Sequence, residues 1–279
     1  MDVSLPSHSY LNLCVKLVVF LSHDTDLSNN NFETINEDLK CKNLHEGIIV
    51  FPHSDIRKLK FIIDICNKFQ SLGVVSFNVS QSSGNTINIG MLVHPLMGVY
   101  GLQWQSHLFN CLEQQLKAED IQRISEVFVK QNGLDDNRIE IAKDKPKVFP
   151  SFLGLKLGML INDDVYFPEN ARLLGLSGAD LVIAINNMEE DSNDDWLLEL
   201  RGHAIFNGFY ICGLHLAAKF GKYLHAVIVS PEGLIVSSSQ FDKNSISGNI
   251  SIKSKFIAQG TTEVYRQRKP EAYKIITNL

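Results

Sequence analysis

The sequence lacks a paired-cysteine framework. Its five cysteines, Cys14, Cys41, Cys66, Cys111 and Cys212, are an odd number and include no C-x-x-C pair. That spacing excludes a zinc ribbon and argues against a disulfide scaffold, so reduced intracellular thiols are expected. Positive charge is also in short supply: 26 Lys and Arg against 31 Asp and Glu leave a net charge of −5. A general nucleic-acid binder needs a basic face, and this balance speaks against one. No G-x-x-x-x-G-K-[ST] loop occurs and no G-x-G-x-x-G follows a strand-like run, so phosphate cradles have no support. Gly175-Leu-Ser-Gly178 is not a G-x-S-x-G elbow, because glycine follows the serine directly. The nine histidines form neither H-E-x-x-H nor an i, i+4 ligand pair, and neither a metal nor a cofactor is expected.

Long apolar runs are missing as well. The stretch 11–21 (LNLCVKLVVFL) is interrupted by Lys16 and preceded by a segment with Asp2 but no Lys or Arg. A signal peptide has the reverse order, and a bilayer span needs about 20 apolar residues. The stretch is read as a buried strand, and a cytoplasmic protein without a membrane partner is expected.

What the sequence does have is core material: 44 % of its 279 residues are hydrophobic. Gly47–Phe51 is a short buried strand stopped by Pro52. Leu59, Ile62, Ile63, Cys66, Phe69 and Leu72 recur at helical spacing and end at Gly73. Val74–Val79, Ile87–Val93, Leu155–Ile161, Leu181–Ile185 and Phe209–Leu214 read as strands, and Asn170–Leu176 and Trp196–Asn207 as helices. Ala226–Ser230 and Leu234–Ser237 flank the turn Pro231-Glu-Gly233 as a hairpin. This alternation predicts an α/β fold in one domain over 1–279, with a core of about 11–239 and a tail of about 240–279. Ser28–Asn31 and Gln81–Asn85 read as loops, Gln131–Pro150 as an exposed connection or small hairpin. The tail after Ser245 is expected to wrap the chain's own surface or a neighbour.

Three segments, in order, carry a resemblance. They are Ile48-Ile-Val-Phe-Pro52, Gln103-Trp-Gln-Ser-His-Leu-Phe109, and the run from Leu157 through Ile161-Asn-Asp-Asp-Val-Tyr-Phe-Pro-Glu169 and Arg172 to Ile185. With Arg201-Gly-His-Ala-Ile-Phe-Asn207, they resemble the nitrilase (carbon–nitrogen hydrolase) superfamily over roughly 11–239. The resemblance implies a four-layer αββα sandwich and a homodimer built through the helices after Asn162 and after the acidic loop 189–195. It also implies a site where a glutamate, a lysine and a cysteine meet at strand ends. A thiolate attacks the amide or nitrile carbon, the carboxylate moves protons, and the ammonium stabilises the developing negative charge.

Placed on those motifs, the three positions hold His53, Gln105 and Asn162. An amide nitrogen is not a nucleophile, and Gln105 offers a donor without full charge. The inherited chemistry is therefore not expected. Two functions follow from the resemblance. One is a ligand-binding or assembly protein whose pocket is lined by His53, Gln105, Asn162, Asp163, Asp164, Glu113, Asn186 and Asn187. It would hold a small amide or amine and pair with itself or with an active homologue. The other is a repurposed hydrolase of a small amide in which His53 activates water directly, with Asp163 and Asp164 as a conceivable cation site. A structural subunit is a third reading, with Phe51, Trp104 and Tyr166 closing the pocket. Cys212 reads as packing rather than as a replacement nucleophile.

Overall fold

The computed structural model describes residues 14–20, 29–80, 86–107, 129–130, 133–134, 138–142, 145–186, 193–217, 223–240, 245–251, 265 and 267–274. Its strands form two sheets. The first contains β1 (Cys14–Phe20), β2 (Ile48–Val50), β3 (Leu72–Ser80), β4 (Thr86–His94), β5 (Gly98–Trp104), β6 (Glu140–Ala142) and β13 (Ser245–Ser251), in the order β13-β1-β2-β3-β4-β5-β6. The second contains β7 (Phe149–Pro150), β8 (Lys156–Ile161), β9 (Leu181–Asn186), β10 (Tyr210–Ala217), β11 (Tyr223–Val229) and β12 (Ile235–Gln240), in the order β12-β11-β10-β9-β8-β7. Strands β1, β2 and β3 are mutually parallel, as are β8, β9 and β10.

The layering follows from side-chain alternation. In β8 and β9, Leu157, Met159, Ile161, Leu181, Ile183 and Ile185 join Leu17, Ile48, Val74 and Leu92 in a core between the sheets. The residues of opposite parity, Leu160, Val182 and Ala184, pack with α3 (Pro168–Leu176) and α4 (Asn193–Asn207) through Leu174, Trp196 and Leu200. On the other side, Ile49 and Val75 meet α1 (Asn29–Cys41) and α2 (Leu59–Lys68) through Leu39, Ile62 and Ile65. Strands buried on both faces read as unbroken apolar runs, which is why β9 was legible as LVIAI. The result is helices, sheet, sheet, helices. Among the described residues no helix is long and apolar enough to cross a membrane.

One glycine sets the spacing near the site. A Cβ on Gly90 would stand 2.7 Å from Ile161 Cδ1 and 2.9 Å from Met159 Sδ, so its absence lets β4 close onto β8.

Three expectations need correction, and one strand went unread. Asn29–Cys41 is helical, where a loop was expected over Ser28–Asn31; the run of asparagines that opens the helix reads locally as a loop. The Gln131–Pro150 stretch is no hairpin, because β6 pairs with β5 in one sheet while β7 pairs with β8 in the other. Strand β5 went unread because glycines interrupt it. Finally, Ser245–Ser251 joins the first sheet as its outermost described strand: it pairs antiparallel with all of β1, from Phe20↔Ser245 to Cys14↔Ser251. Its polar sequence SISGNIS hid it, and an edge position tolerates that polarity.

Candidate functional site

Strand β8 ends at a sharp elbow. Asn162 follows Ile161 with φ of 49°, a left-handed conformation that asparagine tolerates better than most side chains. A 3-10 turn over Asn162–Tyr166 leads into α3, whose first residue is Pro168, preset for a helix start. At the other end Gly178, at φ +83°, closes the helix, with Ala179 N–H donating to Leu174 O. The elbow is almost sealed: Asn162, Asp163 and Asp164 are 8 %, 5 % and 0 % exposed.

Asp164 explains how the elbow is held. Its carboxylate accepts from the backbone N–H groups of Ser106 and His107 at 3.0 Å, and His107 Nδ1 lies 3.1 Å away. Asn170, from α3, donates to the Asp164 carbonyl at 3.1 Å. The His107 ring stacks on Phe167 with centroids 3.6 Å apart. Burial pushes the Asp164 carboxyl above its ordinary range, while the surrounding N–H donors oppose that shift. A carboxylate ringed by donors is a clamp between β5 and the elbow, not a cation ligand. Behind it, His203 of α4 lies with Nε2 2.8 Å from Val165 O; burial lowers its pKa, so the neutral ring donates there.

Gln105 follows β5 and faces the same turn. Its Nε2 donates to His107 O at 2.6 Å and to Asp163 Oδ2 at 3.0 Å, and its Oε1 accepts from Asn88 Nδ2 at 2.7 Å. Both amide protons are therefore engaged within the protein. The structure brings Gln105 and Asp163, the neighbour of Asn162, into direct contact.

His53 is held differently. It follows β2 after Pro52, and its Nδ1 lies 2.9 Å from Ser76 Oγ on β3. Burial lowers its pKa to about 4, so the imidazole is neutral at pH 7 and a weaker base than a free histidine. Asn186 is buried at the end of β9, in register with His215 of β10. His215 is lowered to about 4 by burial and by the neighbouring His225, and its ring sits edge-on to Trp196 at 5.4 Å. Glu113, Asn187 and Cys111 lie outside the described residues.

The remaining candidates are structural. Cys212 is fully buried and desolvation raises its thiol pKa, which leaves it unreactive. Phe51 and Trp104 belong to the core beneath α1 and α2, and Tyr166 packs against the core beneath α3 and α4. The Arg172 guanidinium donates to Phe206 O at 2.9 Å, tying α3 to α4. Among the described residues no three His, Cys, Asp or Glu side chains gather as a metal site. Sequence reasoning missed the clamp of Asp164, His107, Asn170 and His203; its one local signal was the doubled acid right after the elbow.

Residues 50–254 match the family model described as carbon-nitrogen hydrolase. The chain belongs to that family. Among similar proteins, a probable nitrilase of Schizosaccharomyces pombe is 27 % identical over 180 residues, covering 58 % of this chain and 65 % of that protein. An N-carbamoylputrescine amidase of Solanum tuberosum is 30 % identical over 155 residues, covering 44 % and 48 %. The chain thus matches between about half and two thirds of the length of those relatives. A carbon-nitrogen hydrolase from Helicobacter pylori G27 has the same fold, with a TM-score of 0.71 at 15 % identity over 95 % of this chain and 98 % of that one. Membership in the nitrilase superfamily and the layered α/β fold agree with the order of motifs in the sequence.

Proposed function

We propose that this chain is a non-catalytic member of the carbon–nitrogen hydrolase family, formed as one domain, in which His53, Gln105 and Asn162 occupy the glutamate, lysine and cysteine positions. The observation that carries this reading is the engagement of Gln105. Its two amide protons serve Asp163 and the His107 carbonyl, which leaves Gln105 no proton for a reacting oxygen. Asn162 supplies no thiol, and without a covalent nucleophile the acyl-enzyme route is closed. The polar walls suit a small amide or amine held by hydrogen bonds, with Asp163, Asn186 and, outside the described residues, Glu113 and Asn187 as further lining.

The repurposed-hydrolase reading needs His53 as general base. A pKa near 4 weakens that role, since the best base has a pKa near the working pH. The assembly role is a homodimer, with an active homologue as the alternative partner, in the cytoplasm. It is supported by an apolar outer face on α3 and α4: Leu198 and Phe206 are 64 % and 66 % exposed, with Leu173, Leu176 and Ile205 beside them.

The test is a panel of small amides and nitriles assayed with the full chain and with the triple variant His53→Glu, Gln105→Lys, Asn162→Cys. The expected result is no turnover by the natural sequence and detectable thiol-dependent hydrolysis by the triple variant. Turnover by the natural chain that disappears in His53→Gln overturns the non-catalytic reading.

A further inference from the structure

The lysine-rimmed cleft at the far end of β8 has no part in the site described above. It encloses about 580 Å³ and is lined by Ile141, Val148 and Pro150 with the three lysines Lys145, Lys147 and Lys156. Lys156 opens β8 and Asn162 follows its last residue, so the two places lie roughly 20 Å apart at about 3.3 Å per residue. The cleft sits where β6 and β7 are the last described strands of their two sheets.

Its walls are pinned from beneath. The Lys147 N–H donates to Oε1 of the fully buried Gln103 at 2.9 Å, which ties the loop to β5. The Lys147 ammonium pairs with Glu140 of β6. The Lys156 N–H donates to Asp180 Oδ2 at 2.7 Å. Lys145 and Lys156 have no ion-pair partner among the described residues. In a chain with net charge −5, two unpaired ammonium groups, Lys145 and Lys156, thus line one apolar-floored depression beside the Lys147–Glu140 pair. Like charges so grouped repel, and an anion between them relieves that repulsion.

We propose that this cleft binds a small amphipathic organic anion, a carboxylate or phosphate monoester. Lys145 and Lys156 take its head, and Ile141, Val148 and Pro150 take its apolar body. The volume is in the range of about 300–1,000 Å³ usual for small-molecule sites. The competing role for the lysines is protection of free strand edges from pairing with other chains, a task that charge of either sign performs. That role needs no ligand, and the difference is measurable. The proposal is independent of whether the Asn162 site is catalytic.

The experiment titrates the full chain with octanoate and octyl phosphate by calorimetry, with octan-1-ol, octylammonium and inorganic phosphate as controls. Amide resonances locate the binding. One or both amphipathic anions are expected to bind, shifting resonances of 141–148 and of Lys156, and the tighter of the two identifies the head group. Octanol, octylammonium and phosphate are expected to bind at least about tenfold more weakly, as loss of a charge-assisted contact implies. Lys145→Gln with Lys156→Gln is expected to weaken the anion about tenfold while leaving the melting temperature unchanged. Lys145→Gln alone, on the loop, serves as a second variant if the double variant fails to fold. Equal binding of octanol, equal binding of inorganic phosphate, unaltered binding by the variants, or shifts confined to Gln105 and Asn162 each overturn the proposal.

Discussion

Asn162 shows how one residue can suit a left-handed turn of the backbone. At φ 49° an alanine costs about 1–2 kcal/mol relative to residues at ease in that region. Asn162→Ala is therefore expected to lose about 1 kcal/mol more than Asn162→Gly in urea unfolding. The buried histidines give the protein an acid limit. His53 and His215 each titrate near 4 when folded, below the ordinary 6.5. Between those values the unfolded chain binds more protons, so stability falls as pH drops from about 6.5 towards 4. Each group contributes up to about 3 kcal/mol to that loss. Melting temperatures from pH 7 to 4.5 are expected to decline, and His215→Asn to decline less. At this scale the sequence was only partly informative. Motif order singled out His53, Gln105 and Asn162 as candidates, but the contact of Gln105 with Asp163 joins residues 58 apart and has no local signature.

Elements were read best where burial on both faces left a continuous apolar run, as in β8 and β9. They were read worst where the partner decides the structure. Helix α1 carries two buried apolar side chains, Ile35 and Leu39, among its described positions, and β13 is polar along most of its length; each is an element because of what it packs on or pairs with. Close sheet contact at Gly90 belongs to this scale as well. Gly90→Ala pushes on Ile161 and Met159, directly beneath the elbow, and is expected to destabilise by about 1–3 kcal/mol in chemical unfolding. The ends of both side chains can yield somewhat, which keeps the effect short of unfolding.

For the whole molecule, the exposed apolar face of α3 and α4 gives the proposed homodimer its test. Leu198→Asp with Phe206→Glu is expected to halve the mass measured by light scattering, without change in the circular dichroism spectrum. An unchanged mass would mean that this face is not the contact. The pairing of β1 with β13 bears on biosynthesis. Strand β1 has β2 on one side early, but its other neighbour begins more than 200 residues after it ends. At about 5–20 residues per second a ribosome needs roughly 10–50 s to deliver that neighbour. Throughout that interval an apolar strand edge, with Leu17 and Val19 beside it, is open to any other nascent chain. Slower delivery of β13 is therefore expected to lower the yield of native protein, and a chaperone that covers the edge to raise it.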